Sequence, residues 1–211
     1  MRIDILVFDG ADEIDFVGPQ EVFRRAAKIE KDIEVELVTL EPQSEVTAQF
    51  GLRVHPDGVL NTAPDLVVVP GGGWVANSNN GIRREIAHGA LTKTLSSLHE
   101  SQVILAGVCT GAMALAAAGL LDGRAAVTHH GALEDLRRTK ARVVEARVVD
   151  DGDILTCGGV TSSIDLALWF VERQWGGELA DKISRSMEHT RTGIQPRSET
   201  HIAPWRPPYR K

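Results

Sequence analysis

Three short apolar runs govern how this chain folds: Ile3 to Phe8, Leu66-Val67-Val68-Val69, and Val103-Ile104-Leu105-Ala106. Each is too short for an ordinary helix, is apolar at nearly every position rather than at alternate ones, and is made mostly of aliphatic, branched side chains. That pattern reads as a strand buried on both faces. The runs stop abruptly, at Asp9-Gly10, at Pro70-Gly71 and at Gly107, and residues with helical spacing follow. Strand, turn and helix in repeated succession imply an α/β fold, a three-layer sandwich with a mostly parallel sheet. In such sheets ligands bind at the carboxyl ends of the strands.

The remaining segments fit that frame. Gly18-Pro19 opens the first helical stretch, with Val22, Phe23 and Ala26 on one face and Pro19 in the first turn, where its missing N–H is harmless. Glu34 to Leu40 alternates as a strand does, and Val46 to Val54 reads as a small excursion. Ile82 to Leu98 has helical spacing, and Ala112 to Leu121 is an Ala- and Leu-rich helix closed by Asp122-Gly123. A strand near Ala125 to Thr128 and a helix over Gly131 to Arg138 follow. Strands near Val143 to Val149 and Ile154 to Thr156 flank Asp150-Asp151-Gly152-Asp153 and so pair as a hairpin. A long helical region runs from about Thr161 to about Met187, with a break at Gly176-Gly177. From Thr192 onward, Pro196, Pro204, Pro207 and Pro208 rule out regular helix, so residues 191–211, with Trp205 and Tyr209, read as an arm or tail on a domain of residues 1–190.

At 211 residues and 43% hydrophobic content the chain suits one domain with a sizeable core. A formal charge of −6 disfavours a nucleic-acid binder, which must neutralise phosphates. The expected partner is a small molecule. With only Cys109 and Cys157 there is no disulfide framework, which points to a reducing cytoplasm. The N-terminus lacks the features of a signal peptide, and no apolar stretch reaches the ~20 residues that span a bilayer. A soluble, cytoplasmic protein is expected.

The chemistry-bearing residues fall just after strand ends. In Gly107-Val108-Cys109-Thr110-Gly111, small residues flank a cysteine between a buried strand and an Ala-rich helix, the requirement for a nucleophile elbow. The helix N-terminus there is expected to favour thiolate over thiol. The alternative is a buried structural cysteine. Pro70-Gly71-Gly72-Gly73 is either a plain loop or, with the Thr110 N–H, a set of backbone donors for an oxyanion. Asp15 belongs to an acidic cluster that is otherwise a solvated surface, but Ile14 and Phe16 flank it and would carry it inward. A buried carboxyl keeps its proton and serves as a general acid to a thiolate. His129 and His130 read as pocket lining or a base rather than metal ligands, because no carboxylate or cysteine stands at ligand spacing. No cofactor is expected. Cys157 reads as a core residue, with a peripheral redox role as the alternative.

The segments VFDGADEIDFVGP, VVPGGG, GVCTGAMALAAAGLLDGRAAVTHH and GGVTSSIDLAL together resemble the DJ-1/PfpI superfamily, in the branch that holds isonitrile hydratases and the sensor-like domains of certain AraC-type regulators. The resemblance extends from residue 1 to about 190. It implies a flavodoxin-like core, a homodimer, and a site in which Asp15 pairs with Cys109, Thr110 follows the cysteine, and Gly72 is a backbone donor. Gly73, His129 and His130 would complete the substrate pocket. Thr110 stands where peptidase- and glyoxalase-like members carry histidine, His130 where tryptophan is common in this branch, and the segment His189 to Pro196 only loosely resembles its counterpart there.

Three functions follow as expectations. The first is a cofactor-free carbon–nitrogen lyase that hydrates isonitriles to N-substituted formamides through Cys109. The second is a metabolite- or redox-sensing domain without turnover. The sensing regulators carry a helix-turn-helix extension, and this chain stops at Lys211. The third is glyoxalase-, deglycase- or peptidase-type activity, which would need His129 or His130 as base.

Overall fold

The computed structural model describes residues 1–76, 78–191 and 194–195. The Pro-rich stretch with Trp205 and Tyr209 lies outside the described residues. In chain order the elements are β1 (Arg2–Leu6), α1 (Glu13–Ala27), β2 (Glu34–Thr39), β3 (Val46–Thr47), β4 (Arg53–Val54), β5 (Gly58–Val59), β6 (Leu66–Val69), α2 (Ile82–His88), α3 (Ala90–Glu100), β7 (Ile104–Gly107) and α4 (Gly111–Ala117). Then come β8 (Ala125–Ala126), a 3-10 turn (His130–Ala132), α5 (Leu133–Arg137), β9 (Arg142–Val143), β10 (Val148–Asp150), β11 (Ile154–Cys157), α6 (Ser162–Trp175), α7 (Gly177–Ser186) and β12 (Ile194–Gln195).

Strands β6, β7 and β11 are buried at every position, as their continuous apolar sequences require. They belong to a sheet of order β12-β10-β11-β7-β6-β1-β2-β5. All neighbours in it run parallel except β10 and β11, which form the expected antiparallel hairpin. Helices α1, α6 and α7 pack together on one face, and α2, α3 and α4 on the other. Between α1 and α6 the rings of Phe23 and Phe170 meet edge to face at 5.9 Å. Each fully buried Phe stabilises the layer by roughly 1.5–3 kcal/mol relative to exposure. No helix among the described residues is long and apolar enough to cross a membrane.

Three element boundaries differ from the sequence expectation. Helix α1 begins at Glu13, not at Gly18-Pro19, because Asp12 caps it: its carboxylate accepts the Ile14 N–H at 3.2 Å. Gly18 and Pro19 are therefore interior, at the contact with α6, where a Cβ on Gly18 would lie 2.6 Å from Ser163 Oγ. The Ile82 to Leu98 stretch is two helices, broken at Gly89, which has φ +77°. The Val143 to Val149 stretch is likewise divided between β9, which pairs with β8, and β10.

Candidate functional site

Four consecutive strands of the sheet, in the order β11-β7-β6-β1, are parallel, so the loops after their carboxyl ends meet. The loop after β7 carries Cys109, the loop after β6 carries Pro70 to Gly73, α1 after β1 carries Asp15, and the loop after β11 carries Gly158 to Thr161. Asp15, Thr110 and Cys109 are thus brought together from distant positions. The glycine turn lies against them: a Cβ on Gly71 would clash with Thr110 Oγ1, lie 2.6 Å from Thr110 N and 3.1 Å from Asp15 Oδ2.

Cys109 has φ +55°, a left-handed conformation that a side chain rarely adopts. Two hydrogen bonds hold it there: its N–H donates to the Gly158 carbonyl at 3.1 Å, and its carbonyl accepts Thr128 Oγ1 at 2.9 Å. The elbow expected from the sequence is present, and its strain is maintained from both sides. The cysteine is 6% exposed, so its thiol lies almost wholly out of water.

Asp15 is fully buried, as its apolar flanks suggested. Its Oδ2 accepts the Gly71 N–H at 2.9 Å, while Oδ1 has no hydrogen-bond partner among the described residues. The thiol of Cys109 and the Val160 N–H are the other groups that act on this carboxyl. Burial pushes its pKa up to about 8, the Asp12 carboxylate adding to the rise, so at neutral pH it is mostly a protonated acid.

Two expectations about the thiol need correction. The helix N-terminus does not make it a ready thiolate: burial first, and the charge of Asp15 second, push its pKa up, against the N–H groups of Val160 and Thr110. A helix end is worth about 0.3–1 kcal/mol, whereas full desolvation moves a pKa by several units, so burial prevails. The two groups titrate as a pair, so the first proton lost belongs to the pair rather than to either group alone.

The second correction concerns the glycine turn. The Gly72 N–H donates to Thr110 Oγ1 at 3.1 Å and the Gly73 N–H to Gln49 Oε1 at 2.7 Å, so neither is a free oxyanion donor. The donors near the sulfur are the N–H groups of Thr110 and Val160. Val160 was missed in the sequence, which carries no signal for it; only the structure shows its φ of +46°, which a β-branched residue tolerates poorly. Thr128, which pins the Cys109 carbonyl, and Gly71, which holds Asp15, were also not singled out for these roles.

His129 lies beside the site loop. A Cβ on Gly159 would clash with its Cδ2 and lie 3.1 Å from its Nε2, and its Nδ1 accepts the Gly131 N–H at 3.1 Å. Burial and the neighbouring His130 push its pKa down, so it is a neutral ring. His130 is exposed, with its ring 4.1 Å from that of His129. Trp74, directly after the glycine turn, donates to Asp135 Oδ2 at 2.8 Å under the Arg83 guanidinium, which stacks 3.8 Å from its ring. Cys157 is a buried core thiol, its pKa raised by that burial. Among the described residues no group of three or more His, Cys, Asp or Glu is placed to hold a metal.

Comparison with known proteins agrees with this fold. The chain is 33% identical over 200 residues to an isonitrile hydratase of Pseudomonas putida, covering 90% of this chain and 78% of that protein. It is 30% identical over 198 residues to the HTH-type transcriptional regulator CdhR of Pseudomonas aeruginosa, covering 92% of this chain and 56% of the regulator. The solved structure of oxidized Toxoplasma gondii DJ-1 superposes with a TM-score of 0.75 at 25% identity, over 90% of this chain and 98% of that one. The fold is thus flavodoxin-like, of the DJ-1 type. A model of the DJ-1/PfpI family matches residues 1–173, and with the elbow at Cys109 and the mostly parallel sheet beneath it, the chain belongs to the DJ-1/PfpI family.

Proposed function

We propose that this protein is a cysteine-dependent lyase that hydrates isonitriles to N-substituted formamides, with Cys109 as nucleophile and Asp15 as acid. The observation that carries the reading is the fully buried Asp15 carboxyl, held by the Gly71 N–H at the same sheet edge as the strained Cys109 elbow. An isonitrile reacts at one carbon, which must gain both a nucleophile and a proton. In the singly charged pair, the Cys109 sulfur forms the C–S bond and the remaining proton goes to the same carbon, giving a thioimidate. Water then adds to that carbon and gives a proton to the nitrogen through the Asp15 carboxylate. The C–S bond breaks, the formamide leaves, and the pair recovers its shared proton. The dry surroundings that raise both pKa values also strengthen each of these charge movements.

Thr110 has a positioning part in this scheme: its hydroxyl takes the Gly72 N–H and its amide faces the sulfur. The likeness to a named isonitrile hydratase supports the substrate class. Removing the nucleophile or the acid (Cys109→Ala, Asp15→Asn) is expected to lower formamide production by at least about a thousandfold, as loss of an acting nucleophile does. Chromatographic detection of the formamide from an alkyl isonitrile is the measurement, and wild-type turnover by either variant would sink the proposal.

A sensing role without turnover is the second reading, favoured by the likeness to a regulator. It predicts no formamide from the wild-type protein and a change in stability on adding the sensed metabolite. A homodimer belongs to both readings. Ile14 and Val17 on α1, and Phe50 and Leu52 in the adjacent β3–β4 hairpin, are exposed, Phe50 by 77%. The hairpin is tied to α1 by the Glu13 carboxylate, which accepts the Phe50 N–H at 2.7 Å. A second copy covering these side chains would remove them from water. Phe50→Glu is expected to convert a dimer to a monomer in sedimentation, and a wild-type monomer would refute the assembly.

A further inference from the structure

The loop that brings Val160 to the reactive pair is held by one arginine. The Gly158 N–H donates to the Arg147 carbonyl at 3.0 Å, and Arg147 Nη2 donates to Thr161 Oγ1 at 3.1 Å. Arg147 therefore grips the loop on both sides of Val160, once through its main chain and once through its guanidinium. Its Nε is ion-paired with Asp165 Oδ2. Asp165 stands in the first turns of α6, is fully buried, and places its other oxygen 2.8 Å from His189 Nε2. His189 follows α7, where its N–H donates to the Ser184 carbonyl at 3.0 Å and its carbonyl accepts Ser184 Oγ.

Between the two grips sits a residue that would not choose this backbone. A β-branched side chain at φ +46° is strained and persists only where surrounding bonds impose it. The same loop supplies the Gly158 carbonyl that fixes the Cys109 amide. Any relaxation of residues 158–161 would move both the acceptor that strains the elbow and the N–H that faces the sulfur and the Asp15 carboxyl.

We propose that Arg147 and Asp165 are positioning residues for the Cys109–Asp15 pair, holding Val160 in its strained conformation, and that His189 extends this network to the segment after α7. The proposal rests on the reading of Cys109 as the reactive group but not on the identity of the substrate. Buried Asp150 supplies an internal control. It pairs with Arg173 and accepts Trp169 Nε1–H at 2.9 Å, a comparable buried ion pair at the opposite end of β10 from Arg147.

The test is the pH dependence of Cys109 alkylation by iodoacetamide, followed by mass spectrometry of the Cys109 peptide, alongside thermal unfolding. Arg147→Met and Asp165→Asn are expected to slow alkylation at pH 8 roughly tenfold and to move its midpoint upward by about one unit, the effect of one lost hydrogen bond to a charged group. Arg147→Lys, which keeps the charge without the fork, supplies the same readout if the Met variant does not fold. Asp150→Asn should lower the unfolding temperature and leave the midpoint in place. Glycine adopts positive φ without strain, so Val160→Gly in the Arg147→Met background is expected to recover most of the wild-type midpoint. Unchanged midpoints in the Arg147 and Asp165 variants, or no recovery with glycine, would overturn the proposal. Wild-type protein that alkylates as described yet makes no formamide would defeat the lyase reading and leave this one standing.

Discussion

Asp15→Asn should make this protein more stable at pH 8 than the wild type, by several kcal/mol, while leaving stability near pH 4 almost unchanged. The folded-state pKa of Asp15 is about 8, against 3.8 for the free side chain. Between those values the folded chain holds a proton that the unfolded chain has released. Stability therefore falls as pH rises through this window, by about 1.4 kcal/mol per unit. Over roughly four units the loss is on the order of 5 kcal/mol, complete above the folded pKa and absent below the unfolded one. Asparagine keeps the shape of the carboxyl and its oxygen for the Gly71 N–H, but carries no charge to bury. Urea unfolding of both proteins at pH 5 and pH 8 isolates this group, because other titrations cancel in the difference. An equal stability difference at the two pH values would show that Asp15 is ionised in the folded protein, and the acid role would fall with it. The same variant is expected to be inactive, so stability is sacrificed here for a protonated carboxyl next to the thiol.

Gly71→Ala should destabilise the chain and disable the site together. The added Cβ would strike Thr110 Oγ1 and lie 2.6 Å from Thr110 N, a backbone atom with no freedom to swing aside. Either the glycine turn or the elbow must shift. Overpacking of this kind costs about 1–3 kcal/mol or more, which for a domain of this size corresponds to a fall of roughly 3–10 °C in unfolding temperature. The functional effect should exceed what that loss explains. The Gly71 N–H is a hydrogen-bond donor to Asp15, and Thr110 directly follows Cys109. We expect Cys109 alkylation at pH 8 to change by at least tenfold in protein that remains folded at 25 °C. A variant with both the wild-type unfolding temperature and the wild-type alkylation rate would show that the turn is less tightly packed on the elbow than described.

Much of the site was legible in the chain because its cues are local. The continuous apolar runs specified buried strands, and parallel strands place their following loops on one edge. Cys109 between Gly107 and Gly111 announced an elbow through the small residues such a turn needs. Asp15 was marked by Ile14 and Phe16, which take it into the core. Helix boundaries were less legible, because Gly18 and Pro19 argue against a helix interior until packing against Ser163 is known.

The balance of protons and donors was not legible, since it depends on contacts between residues far apart in the chain. A helix N-terminus after Cys109 argued for a low pKa, yet burial and Asp15, 94 positions earlier by numbering, reverse it. Gly72 and Gly73 offered N–H groups that Thr110 and Gln49 already occupy. Val160 showed no chemistry in the sequence, because what matters is the direction of its backbone N–H, imposed by the Arg147 grip. Local side-chain patterns thus placed a cysteine at a turn on the edge of a sheet. Its proton affinity, its neighbouring carboxyl and its donors came from the packing of four adjacent strand ends, because desolvation and hydrogen bonding are properties of what surrounds a group in space.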